Sequence, residues 1–236
     1  MDMFNPTRVA LGVCVVMAVA LSTGCSFSSF ETARNLPRGG TSITGAIASY
    51  GYHSDQGGDS EIAFEAAVSH GLSEKVELGG KLAFFNIEDN KALNVLFTEK
   101  FSLAKDSVAL TIPAGIILTD GDNVWMVNPG VLATYPATKD FTIEGAAKLV
   151  INLQDDFGDS NTLIAANVGL RLSPGGNTTW GLQPEIGFAI DPNEEGYFLQ
   201  FGFGFVYNIG ARPPDDGGGG GGMAGPAPAP GAWPAP

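Results

Sequence analysis

Charge is scarce in this 236-residue chain: Asp, Glu, Lys and Arg make up only 16% of it, and the bases number 12 against 25 acids. The resulting formal charge of −13 removes the basic footprint that nucleic-acid binding needs. Cysteine and histidine are equally rare, at two each. Two cysteines cannot build a multi-bridge disulfide framework, and there is no Cys/His cluster for a structural zinc. The apolar run Val9–Leu21 has 13 residues, short of the roughly 20 that a bilayer-spanning helix requires. No P-loop is present, and no dinucleotide fingerprint sits in a βαβ setting. What is plentiful is glycine (33 residues) and apolar side chains (44%), a balance that suits a β-protein meeting lipid.

From Gly40 to Ile209 one unit repeats: about ten to twelve residues of period-two alternation, then a turn. Ile62, Phe64, Ala66 and Val68 share one face of the second strand; Ala63, Glu65, Ala67 and Ser69 share the other. The last strand sets Leu199, Phe201, Phe203, Phe205 and Tyr207 against Gln200, Gly202, Gly204 and Asn208. The inner face of the first strand, near Thr41–Tyr52, is left open by the pattern. Ten strands result, each long enough to cross a bilayer when tilted, whereas soluble strands commonly run to about five or six residues. Backbone groups in lipid need partners, so the sheet must close. The predicted fold is all-β: a closed, antiparallel, up-and-down transmembrane barrel of about ten strands.

Two asymmetries orient it. One set of connections (53–61, 88–91, 119–123, 153–161, 191–196) is mostly longer and rich in Asp and Gly; the other is short and carries Lys75, Lys105 and Lys139. Aromatic residues cluster at strand ends, with Trp125 and Tyr197 at one rim and Phe101, Tyr135, Phe141, Trp180 and Tyr207 at the other, as interfacial girdles do. Three prolines (Pro113, Pro129, Pro184) fall inside strands, where a closed barrel has no edge to excuse a missing donor, so bulges or bends are expected there.

Two motifs resemble known bacterial patterns. Leu21-Ser22-Thr23-Gly24-Cys25 after a short n-region and the apolar run resembles a lipoprotein processing site, although Ser22 stands where that family prefers Leu. The resemblance implies palmitate-type acylation of Cys25, and Ser26 implies transfer to the outer membrane. Gln200-Phe201-Gly202-Phe203-Gly204-Phe205-Val206-Tyr207 looks like the assembly signal of bacterial outer-membrane barrels, with Gln200, Gly202, Phe205 and Tyr207 at its defining positions. That signal usually ends a chain, and here 29 residues follow it (236 − 207). The expected organisation is a signal peptide at 1–24, a periplasmic lead at 25–39, the barrel at 40–209, and a Gly/Pro/Ala-rich disordered tail at 210–236.

Strand parity sends Glu65, Glu77, Glu144 and Glu185 inward together with Lys81, Lys100, Lys148 and Arg171. Four acids and four bases sum to zero, which suits a salt-bridged plug better than an aqueous pore, because ten strands enclose little space. Catalytic residues are not expected. His70 faces lipid while Ser69 beside it faces inward, and His53 lies in a loop with Ser54 and Asp55, too close in sequence for a working dyad. The outer-loop carboxylates Asp120, Asp122, Asp155, Asp156 and Asp159 are candidates for weak Ca²⁺ or Mg²⁺ contact, but none matches an EF-hand, and no resident metal or cofactor is expected. The sequence therefore points to a non-enzymatic, monomeric outer-membrane barrel lipoprotein with a structural or surface-interaction role. Its expected partners are outer-membrane lipids, lipopolysaccharide, and the barrel-assembly and lipoprotein-sorting machinery, with no nucleic acid. A narrow porin-like channel and a soluble periplasmic lipoprotein binding a hydrophobic ligand are the alternatives.

Overall fold

The computed structural model describes residues 28–53, 60–87, 90–119, 123–154, 162–174, 179–193 and 196–210. Twelve strand segments follow in order: β1 Thr41–His53, β2 Ser60–Gly71, β3 Val76–Ile87, β4 Asn90–Ala104, β5 Val108–Thr111, β6 Ala114–Leu118, β7 Val124–Val127, β8 Gly130–Pro136, β9 Phe141–Asn152, β10 Thr162–Leu172, β11 Trp180–Ile190 and β12 Tyr197–Ile209. Each pairs antiparallel with its neighbours, and β12 returns to β1 in a continuous register from Thr41↔Ile209 to His53↔Tyr197. That pairing closes the sheet and leaves no edge strand among the described residues.

The twelve segments make ten wall strands, because two strands are broken at proline. Pro113 separates β5 from β6, and Pro129 separates β7 from β8. Both halves of each broken strand stay in the wall: β4 pairs first with β5 and then with β6, while β9 pairs with β8 and then β7. The bends are stitched by neighbouring groups, with Ile112 N donating to Glu99 O (2.9 Å) and Asn128 N to Pro113 O (2.7 Å). Pro184 is accommodated differently. It stays inside β11, and the β10–β11 ladder is interrupted opposite it, between Gly169↔Glu185 and Leu172↔Leu182. The missing donor is thus placed where no ladder bond is asked of it.

The wall is apolar outside and mixed inside. Phe64 (58% exposed), Phe97, Val68, Ile186 and Phe201 (56%) point outward. Such a surface would be costly in water and suits hydrocarbon. On β1 the inward residues include Ala46, Ala48, Tyr50 and Tyr52, which settles the face that the alternation left open. Aromatic contacts mark both rims: the His53 ring stacks on Tyr197 at 5.2 Å, and Trp180 stacks on Phe205 at 6.3 Å.

One expectation is corrected. Residues 25–39 read as a periplasmic lead, but within their described part, 28–39, the stretch Ser28–Leu36 runs inside the wall. Ser28, Ser29, Phe30 and Ala33 are all buried. The segment leaves through the end that carries the short turns. There Gly40 N bonds Pro37 O (2.8 Å), Gly39 N bonds Gly71 O (2.8 Å), and Gly71 N bonds Gly40 O (2.9 Å).

Candidate functional site

The interior has three levels. Nearest the long connections lies an apolar core of Tyr50, Phe85, Ile117, Met126, Val150, Leu163 and Phe198, with Phe85 and Leu163 each only 1% exposed. Tyr50 lies 5.7 Å from Phe85 and Tyr52 lies 4.9 Å from Phe198, ring centre to ring centre, so aromatic rings span this level. Below it lies a charged band. From the short-turn end a cavity of about 710 Å³ reaches up into that band, lined by Glu65, Lys81 and Glu144 above and by Arg34, Lys75 and Lys139 below.

The charged band holds the eight predicted interior residues. Glu65, Glu77, Lys81, Lys100, Glu144, Lys148 and Glu185 are buried, and Arg171 is half-buried beside the cavity. Two ion pairs join them: Lys81 Nζ–Glu65 Oε2 at 2.7 Å and Lys100 Nζ–Glu77 Oε1 at 2.9 Å. Among the described residues these are the ion pairs between interior strands. The other charges are not satisfied by one another. Lys148 and Glu185 grip the main chain of Ser28, Ser29 and Phe30.

The grip is continuous along the segment. Ser28 Oγ lies 2.7 and 2.8 Å from the two Glu65 oxygens, and Tyr50 Oη donates to the same carboxylate at 2.6 Å. Lys81 Nζ donates to Ser28 O (3.1 Å), and Lys148 Nζ donates to it from the opposite wall (3.2 Å). Glu185 accepts from two consecutive amides, Ser29 N and Phe30 N, both at 2.8 Å. Asn167 Nδ2 adds a third donor to Glu185 at 3.2 Å and also donates to Gln200 Oε1 at 2.9 Å. Lys100 Nζ takes Thr32 O (3.1 Å) and Arg34 O (3.0 Å), Thr134 Oγ1 accepts from Ala33 N (2.8 Å), and Glu77 accepts from Leu36 N (3.0 Å). Glu144 takes Gln183 Nε2 instead. A buried charge without partners is costly, and charge-assisted bonds to amides and carbonyls offset that cost.

Phe30 anchors the segment. Its φ of +42° lies in the left-handed region that bulky residues seldom occupy, so its ring placement is held by packing rather than by local preference. The ring lies against the inner face of β12 at Gly202 and Gly204. A Cβ at Gly202 would collide with Phe30 Cζ, and one at Gly204 would come within 3.0 Å of Cδ1. The assembly-signal positions therefore divide. Gln200 is fully buried in the polar network and Gly202 faces Phe30, while Phe205 and Tyr207 face outward. Ala33 sits lower, against Ala109, Leu132 and Ala146.

Cys25 and the five aspartates Asp120, Asp122, Asp155, Asp156 and Asp159 lie outside the described residues. Among the described residues no group of three His, Cys, Asp or Glu side chains could hold a metal ion. His70 sits at the rim with Nδ1 3.0 Å from Thr41 Oγ1.

No family model matches this chain, and no curated protein matches it. Solved barrels share its outline only. The translocator domain of the autotransporter NalP from Neisseria meningitidis is 11% identical, covering 87% of this chain and 99% of that one, with a TM-score of 0.44. Neisserial surface protein A is 10% identical over 72% and 99% (TM-score 0.37), and the KdgM porin is 13% identical over 70% and 98% (TM-score 0.41). Likeness at this level says nothing about role. The fold assignment rests on the closed strand pairing itself.

One pair gives a direct test of the clamp. Lys100→Met leaves Glu77 buried without its cation and frees the Thr32 and Arg34 carbonyls, at an expected cost of about 3 kcal/mol. The double variant Lys100→Met/Glu77→Met removes both charges and is expected to be milder than the sum of the singles. Urea midpoints of the micelle-refolded protein measure this. An additive cycle would mean that the two residues do not act as a pair.

Proposed function

We propose that this chain is a bacterial outer-membrane β-barrel lipoprotein whose role is structural or surface-interacting, neither catalytic nor conducting. The observation that carries the reading is the filled interior. An apolar core blocks the end with the long connections, and below it Lys81, Lys148 and Glu185 are engaged by residues 28–30. The cavity at the other end runs up beside that plug as far as Phe30, Glu65 and Lys81, below the apolar core. Membrane placement is supported by the outward apolar face and the rim aromatics. Cys25 supplies the lipoprotein part of the reading through its processing-site resemblance. The acidic long connections would then face outward, toward lipopolysaccharide and its divalent ions. The barrel-assembly and lipoprotein-sorting machinery would be its partners on the way there.

Planar-bilayer recording tests the closed interior. No stepwise conductance is expected from the purified protein; steady single-channel steps would favour the channel reading instead. Membrane fractionation tests the barrel. Cys25→Ala is expected to lose palmitate label yet stay in the membrane through a carbonate wash and keep heat-modifiable gel migration. Release of that variant into the wash would favour the soluble lipoprotein.

A further inference from the structure

We infer that the cavity at the short-turn end is a binding site for a small zwitterion, an α-amino acid whose ammonium meets Glu144 and whose carboxylate meets Arg171. The site adds to the structural role above, leaves residues 28–36 in place and lies wholly within the described barrel.

The inner segment covers one side of the lumen. Residues 32–36 are bonded by Thr134 of β8, Lys100 of β4 and Glu77 of β3. The cavity of about 710 Å³ lies beside them, and its lining includes Thr142 and Glu144 of β9, Arg171 of β10, and Ser42 and Thr44 of β1. A space of that size is in the range of small-molecule sites.

Two charges on this lining are left open. Glu144 is only 3% exposed. One of its carboxylate oxygens accepts from Gln183 Nε2, while Oε1 has no partner. Glu31, also on the lining, carries a second unpartnered oxygen, Oε2. A carboxylate oxygen held out of water without a donor is costly, which favours a donor entering beside it. The cation next to Glu144 across the β9–β10 ladder is Arg171. Thr142 pairs with Arg171 and Gly169 with Glu144, so Glu144 and Arg171 are diagonal neighbours, about 7–8 Å apart. No ion pair joins them among the described residues, where Lys81–Glu65 and Lys100–Glu77 are the pairs formed inside the wall. The Arg34 guanidinium faces Arg171 with like charge from the inner segment.

These open charges select the ligand. An anion alone would meet the carboxylate of Glu144. A metal ion would meet Arg171, and no group of three acidic, His or Cys side chains among the described residues could hold it. A molecule with both charges a few atoms apart answers both. The ammonium of an α-amino acid donates to Glu144 Oε1, and its carboxylate accepts two N–H bonds from the fork of Arg171. The hydroxyl-lined wall at Ser42 and Thr44 leaves room for its side chain.

Saturation-transfer NMR on the refolded full chain tests the site, with L-alanine as the probe. Alanine is expected to give a saturable signal; no signal overturns the inference. Propionate lacks the ammonium, alaninamide lacks the carboxylate, and trialanine holds its two charges too far apart to bridge the gap. Each is expected to compete with alanine more weakly by roughly tenfold or more. Equal competition by any of the three overturns the assignment to an α-amino acid. Glu144→Gln and Arg171→Met are each expected to weaken alanine binding by roughly tenfold or more, with heat-modifiable migration unchanged. Undiminished binding in either variant overturns the inference. The ligand comparison uses the unsubstituted protein, so it decides the question even where a variant does not assemble.

Discussion

Glu185→Ala is expected to expel residues 28–36 from the barrel while leaving the wall assembled. Glu185 accepts from Ser29 N, Phe30 N and Asn167 Nδ2, and it is an interior carboxylate on the same level as Lys148. Truncation leaves two main-chain donors buried without an acceptor and removes a counter-charge from that level. Breaking a buried charged arrangement from one side costs about 3–5 kcal/mol. The segment can relieve that cost by leaving, because its exit passes through the open funnel and breaks no wall pairing. An expected shift of roughly two to four orders of magnitude in the seating equilibrium follows, at about 1.4 kcal/mol per tenfold. Trypsin acting on the refolded, unacylated barrel reads it at Arg34, whose carbonyl oxygen Lys100 holds inside the funnel. Cleavage should accelerate strongly in Glu185→Ala and less in Glu185→Gln, which keeps one acceptor oxygen. Heat-modifiable migration should not change. Wild-type cleavage rates in Glu185→Ala would show that the carboxylate does not hold the segment.

Gly115→Val is expected to act on the wall itself and to prevent assembly. Gly115 pairs with Leu96 of β4 and Met126 of β7, just beyond the break at Pro113. The bend brings β6 so near β4 that a Cβ there would collide with Val95 O and sit 2.9 Å from Leu96 Cα. These are backbone atoms in a closed ladder, so no side chain can swing aside. The strands must separate, at an expected cost of about 4 kcal/mol or more, which is rare for one substitution. Gly45→Val is the matched control, since a Cβ at Gly45 meets nothing within 4 Å and points outward. Refolding yield by heat-modifiable migration should collapse for Gly115→Val and hold for Gly45→Val. A normal yield for Gly115→Val would mean that the β4–β6 approach is looser than it stands here.

The two substitutions separate what was legible in the sequence from what was not. Gly115 lies in a stretch readable as a strand with a proline defect, and the bend at Pro113 was expected. That the bend presses one glycine onto a neighbouring carbonyl depends on the pairing register, which no single strand encodes. Glu185 was readable as an interior charge by parity, and so were its seven companions. Their partners were not readable. The balanced set of four acids and four bases suggested mutual salt bridges, yet only Lys81–Glu65 and Lys100–Glu77 form among the interior strands of the described chain. Lys148 and Glu185 bind main-chain groups of Ser28, Ser29 and Phe30 instead, and Glu144 takes the Gln183 side chain.

The sequence by itself determined the strands, the inward and outward faces of all but the first, the rims and the neutral interior. Each of these follows from local alternation, because a pleated strand sends successive side chains to opposite sides. Tertiary structure alone decided that residues 28–36 fill the barrel. Amide and carbonyl groups are common to every residue but proline, so a carboxylate that grips Ser29 N and Phe30 N carries no mark of them in its sequence. Only closure of the wall brings Glu185, Lys148, Lys81 and Glu65 round one short stretch of backbone that parity had no reason to place inside.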